Sequence, residues 1–303
     1  MQEIKTRTKN YGTSLVFLSA LMFGTYGIWS RLIGGAMGNF FQGWTRALMI
    51  LILLIPIALI RREIIRIRRE DRKWLIVFLV FTSLTQAPIF YAFNHMDIGS
   101  ASLLFFVSMF LTMNIIGVWS FKEKFTRIKI ISLIIAIIGM YLVFSFSIIE
   151  FTLLAALMAI INGVASGGEV AFSKKLSNKY SPLYLIILSW AIILITNSII
   201  SVAIGETQVI PALNMTWFWQ IAYSIASLLA FWLVIAGFKY VDASVGALVG
   251  LMEIVFSILF GLVIFGELLT LGVIIGGALI ILSASLSNIR DLLKPGGRAA
   301  FTS

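Results

Sequence analysis

The chain has 303 residues; 60% are hydrophobic, 12% are charged, and the mean hydropathy is +1.03. Soluble domains carry about 25% charged and 45–50% apolar residues, so a water-soluble globule is excluded, because half of its surface would be bare hydrocarbon. Cys is absent and His95 is the only histidine, which excludes disulfides, thiol nucleophiles and multi-histidine metal centres.

A membrane helix needs roughly 20 predominantly apolar residues, and the hydropathy pattern predicts ten such segments. The first, 13–32, is too long for a cleavable signal peptide and lacks a small-residue cleavage site. Its Tyr26 and Trp29 share a face, where aromatic planes suit an organic cation, although Trp and Tyr also populate interface belts. The second, 41–60, opens with Trp44 and Arg46. The third, 74–93, sets Thr82 and Gln86 one helical turn apart on one face near mid-depth. Pro88 follows, freeing a carbonyl near residue 84, then Tyr91; His95 beside Asn94 and Asp97 reads as a loop histidine. Segments 100–121, 129–148 and 151–173 bring Asn114, then Asn162 and Glu169, with Gly163, Ser166 and Gly167 forming a small-residue stretch before Glu169. Segments 183–204 and 216–238 place Asn197 near an outer end and Trp190 and Trp232 deeper. The ninth, 245–265, lines up Gly246, Gly250, Glu253, Ser257 and Gly261 on one small, polar helix face. Counting ~1.5 Å per residue puts Glu253 about 12 Å into the bilayer. The tenth segment is 270–288.

Lys and Arg set the orientation. With the N-terminus in the cytoplasm, all of the 23 Lys and Arg except Arg31 and Arg46 fall in the two tails or in the cytoplasmic loops. Seven of them lie between Arg61 and Lys73, and Lys122, Lys124, Lys174, Lys175 and Lys179 in later loops. The opposite loops hold Asp97, Glu150, Glu206 and Glu267. Both termini, 1–12 and 289–303, are therefore expected in the cytoplasm of a bacterial or archaeal inner (plasma) membrane protein. The net charge of +10 then marks topology and contact with anionic lipid, with no nucleic-acid partner.

A shift of 145 residues aligns Phe93 with Phe238, Asp97 with Asp242, Leu103 with Leu248 and Val118 with Val263; a shift of 144 aligns Glu123 with Glu267 and Thr126 with Thr270. The chain thus divides into 13–148 and 151–288, five spans each. An odd number of spans inverts the second half relative to the first, an architecture of secondary transporters with a midplane site between the halves.

These features resemble a known family. Phe23-Gly24 followed by Arg31, Arg46 at the second helix, the stretches 99–126 and 244–270 each closing on a glutamate and a threonine, and Gly272, Gly276 and Gly277 resemble the ten-helix EamA-type members of the drug/metabolite transporter superfamily. The resemblance spans about 13–290. It departs at Met109 and at Ile254, where relatives carry a proline, which points to a straighter ninth helix. It implies an all-α integral membrane protein and export or exchange of small metabolites such as amino acids or amines.

Charged groups at membrane depth are costly and mark function. Glu253 is read as a cation-binding or proton-coupling carboxylate, with neutralisation by Arg46 as its structural alternative. Glu169 is read as a coupling or gating acid, with snorkelling or pairing to Lys174 or Lys175 as its alternative. Gln86, Tyr26, Asn114, Asn162, Trp29, Tyr91 and Arg46 complete the expected substrate-binding set. No enzyme is read, because the single histidine lies away from mid-depth and the two acids occupy different depths; no cofactor or metal is expected. The reading is a secondary active transporter of small polar metabolites, amino acids first and organic cations, amines or drugs second, with protons as the coupling ion. A channel is the reading of another class, though no ring of like residues supports it. Monomer and homodimer are both compatible with the glycines of the tenth segment.

Overall fold

The computed structural model describes residues 2–121, 127–147, 153–177, 179–238, 240 and 249–293. Glu123, Glu150, Lys122, Lys124, Lys239, Asp242, Gly246, Leu248 and the tail from 294 onward lie outside the described residues. In chain order the helices are α1 (Gln2–Gly24), α2 (Tyr26–Ile33), α3 (Asn39–Ile60), α4 (Arg72–Thr82), α5 (Ala87–His95), α6 (Ile98–Phe121), α7 (Arg127–Ser147), α8 (Leu153–Leu176), α9 (Pro182–Ala203), α10 (Met215–Phe238), α11 (Met252–Phe265) and α12 (Leu271–Leu293). No strand occurs among the described residues. In hydrocarbon every backbone N–H and C=O needs a partner from its own segment, which leaves helices as the solution for such apolar runs. Among the described residues, seven stretches are long and apolar enough to cross a membrane; Ile130–Leu142, Met252–Phe265 and Leu271–Ser283 are shorter apolar helices. Large side chains such as Ile52, Ile199, Val263 and Ile274 are exposed, the surface expected of a protein bathed in lipid rather than water.

Three predicted segments are interrupted. The first breaks between α1 and α2 at Thr25, whose Oγ1 donates to the Met22 carbonyl (2.6 Å) and accepts from Trp29 Nε1 (2.8 Å). The third breaks across Ser83–Gln86, so Thr82 and Gln86 do not share one helix face: Thr82 closes α4, and Gln86 caps α5 with φ −120°, ψ −70°. Pro88 accounts for this second break, because α5 starts with the proline in its first turn, where no N–H is needed. The ninth turns at Leu251, and α11 begins at Met252. The expected straight helix is thus replaced by one whose first turn carries Glu253, next to the positive end of the helix dipole.

Small residues set the close packing. A Cβ at Gly167 would lie 2.7 Å from the Met109 carbonyl, and one at Gly163 2.7 Å from Ser108 Cβ, so α8 packs directly on the backbone of α6. The small-residue stretch before Glu169 is therefore a helix contact. Two loops meet on one face of the molecule: Lys179 Nζ lies 2.8 Å from Asp71 and 3.2 Å from Glu70, Tyr180 donates its hydroxyl to Asp71, and Ser181 donates to Glu63. These carboxylates hold the Lys179 ammonium above the ordinary lysine range, Asp71 contributing most. This face also carries the arginines of the 61–69 loop and is called the basic face below.

Candidate functional site

Between the helix breaks lies a cavity of about 450 Å³. α2 contributes Tyr26, α3 Arg46, α5 Ile89, α8 Asn162 and Glu169, α9 Ser189 and Trp190, α10 Tyr223, and α11 Glu253 and Ser257; Thr85 and Gln86 come from the break before α5. The lining continues to Ser177 and Pro182, which are exposed on the basic face. The cavity therefore opens toward that face.

The opposite end is closed. Arg31, at the end of α2, pairs through Nη1 with Glu267 Oε1 at 2.5 Å. Its Nε donates to the Phe93 carbonyl (3.0 Å) and its Nη2 to the Met96 carbonyl (2.7 Å). Glu267 also accepts from the Ile98 backbone N–H at 2.9 Å, the first residue of α6. One ion pair so ties the α11–α12 turn to α2, α5 and α6, directly over Phe93, whose ring lines the cavity. Beside it, Glu206 accepts from the Phe40 and Phe41 N–H groups (3.2 and 2.7 Å) and caps α3.

Of the residues singled out in the sequence, Glu253, Glu169, Gln86, Tyr26, Asn162 and Arg46 meet at this cavity. Glu253 forms no ion pair among the described residues, so neutralisation by Arg46 does not occur in this state. Glu169 faces the cavity and accepts from Ser189 Oγ at 3.0 Å. Asn162 also lines the cavity while donating to the Leu84 carbonyl at 3.3 Å, the carbonyl that Pro88 frees.

Three expected residues do not line the cavity. Asn114 spends its amide N–H on Phe110, one turn back on its own helix (2.9 Å). Trp29 is held by Thr25 and lies 5.9 Å from the Trp219 ring. Tyr91 stacks on His95 at 4.0 Å, and its carbonyl pairs with His95 Nδ1; that histidine is satisfied by its own turn. Trp217 is buried and donates to the Ile210 carbonyl. Tyr223, Ser189 and Thr85 belong to the lining and escaped the sequence, while Ser257 joins Glu253 there from the predicted polar face. A tyrosine inside an apolar helix announces no facing, whereas the spacing of Ser257 from Glu253 does.

A multi-pass helical fold around a cavity that holds acidic side chains and is closed at one end is the build of a membrane transport protein. The comparisons with known proteins agree: the EamA-like transporter family model matches residues 10–145 and again 153–289. The chain belongs to the EamA-like transporter family; it is a membrane transporter and not an enzyme. An uncharacterized transporter of Archaeoglobus fulgidus is 26% identical over 282 residues, 91% of this chain and 95% of that protein. A solved crystal structure, named only as that of a protein, superposes with a TM-score of 0.62 over 92% of this chain and 98% of its own, at 17% identity. That likeness concerns the fold alone.

Proposed function

We propose that the protein is a secondary active transporter of small polar metabolites, amino acids first, working by alternating access in the plasma membrane, with the basic face in the cytoplasm. The observation that carries this reading is Glu253, in the first turn of α11, inside a cavity open toward one face and tied shut toward the other. A pore has no need of a closed end, whereas a carrier caught facing one side has one. Glu253 binds the cationic group of the substrate or the coupling proton, and Gln86, Tyr26 and Asn162 shape the pocket around it. Glu169 is a second acid on the way to the basic face, and this pair of carboxylates also favours amines as the next class.

The inverted repeat supports the same reading. Helices in matching positions of the two halves pack on each other, α3 on α9 and α7 on α12. The contact of α1 with α10 is mirrored by that of α8 with α4 and α5, and the contact of α1 with α11 by that of α8 with α6. Such pairing is what a two-fold axis in the membrane plane requires. The test is uptake into proteoliposomes under an imposed pH gradient: Glu253→Gln loses gradient-driven flux and keeps the wild-type melting temperature. Wild-type pH dependence in a folded Glu253→Gln protein overturns the reading.

A further inference from the structure

The cavity holds a permanent cation, Arg46, that forms no ion pair among the described residues. Arg46 is 1% exposed and lines the cavity from α3. Its guanidinium carbon lies 4.0 Å from the ring centroid of Tyr223, 4.8 Å from Phe90, 5.4 Å from Trp190 and 5.6 Å from Tyr26. Ring faces attract the cation, but they are poor hydrogen-bond acceptors, and the buried Nε and Nη1 have no partner among the described residues. No carboxylate among those residues forms an ion pair with it, although Glu169 and Glu253 line the same cavity.

Arginine does not shed its proton in a protein. A guanidinium buried without an acid is a standing cost unless a ligand supplies the anion. The guanidinium fork matches two oxygens of one carboxylate. Two of the four rings around it, Tyr26 and Phe90, ride on α2 and α5, the half-helices that follow the breaks at Thr25 and Ser83–Gln86.

We propose that Arg46 is the docking point for a carboxylate on the transported molecule and is the residue that separates carboxylate-bearing substrates from otherwise identical amines. The inference rests on the transporter reading, with Glu253 taking the substrate's cationic group in the same pocket. The substrate then bridges two side chains that do not reach one another, and the bridge brings together α3 and α11.

The experiment is thermal unfolding of the purified full-length protein with matched probes: phenylalanine against phenethylamine, leucine against isoamylamine, and lysine against cadaverine. In at least one pair the amino acid stabilises at a concentration about tenfold or more below that of its amine. Arg46→Gln removes that difference, while Arg46→Lys, which keeps the charge and loses the fork, retains part of it. Without ligand, Arg46→Gln unfolds at or above the wild-type temperature, because it deletes an uncompensated buried charge. An Arg46→Gln protein that melts lower and still prefers the amino acid makes Arg46 a packing residue and overturns the proposal. Equal stabilisation by both members of every pair, still dependent on Glu253, overturns it as well and leaves the transporter reading standing. If no probe stabilises the wild-type protein, the amino-acid reading falls together with the carboxylate site.

Discussion

Asn162 is the clearest case of one side chain explained by another residue's deficiency. Pro88 has no N–H, so the carbonyl four residues back is left over inside the membrane; the Asn162 amide takes it up from α8 at 3.3 Å. The leftover carbonyl was legible in the sequence, but its partner was not, because no spacing rule reaches across 78 residues. Asn114 shows the opposite outcome: its depth was legible and its facing was not, since α6 is apolar all round and offers no polar stripe to orient it. Asn162→Ala leaves the Leu84 carbonyl buried and unpaired, at a cost of ~1–3 kcal/mol. The expected result is a lower melting temperature in detergent, with Asn162→Asp no substitute, since a carboxylate does not donate to a carbonyl. An unchanged melting temperature for Asn162→Ala would mean that the 84–88 break is satisfied in some other way.

Whole apolar segments were legible because the membrane demands length, and hydropathy measures length. Breaks within them were not, since hydropathy sums over a window and is blind to a single turn. Pro88 signalled the break in the third segment, whereas Thr25 is an ordinary helix residue whose hydroxyl merely caps the end of α1. The breaks matter because they set off α2, α5 and α11 as half-helices, and Arg31–Glu267 ties all three together at the closed end. Each partner is at most a quarter exposed, with side-chain exposures of 23% and 7%, so removing one leaves the other poorly compensated, at ~3–5 kcal/mol for a fully buried pair. Glu267→Gln is expected to loosen this end and populate a state open toward the side opposite the basic face. A cysteine replacing Ser102, which lines the cavity and is 3% exposed, then reacts with a membrane-impermeant maleimide from that side. It stays protected while Glu267 is present, and Arg31→Glu combined with Glu267→Arg restores the protection. Equal labelling with and without Glu267 would remove the ion pair from any role in closure.

At the scale of the whole molecule, function turns on which face meets the cytoplasm. Two of the positive loops, 61–73 and 174–181, are joined physically by Lys179, Asp71 and Tyr180, so their charge is gathered onto one surface. That surface is also where the cavity opens, at Ser177 and Pro182. If orientation follows the positive charge, the state described here faces the cytoplasm, and Arg31–Glu267 stands on the outside. The chain contains no cysteine, so single-cysteine variants report without any background to remove. Thr207→Cys, exposed in the loop between α9 and α10, is expected to react with an impermeant maleimide on intact cells. Ser177→Cys is expected to react only after the membrane is opened, and to be shielded by transported substrate because it sits at the cavity mouth. The reverse labelling pattern would turn the protein over in the membrane, put the ion pair on the cytoplasmic side, and make the open cavity an outward-facing one.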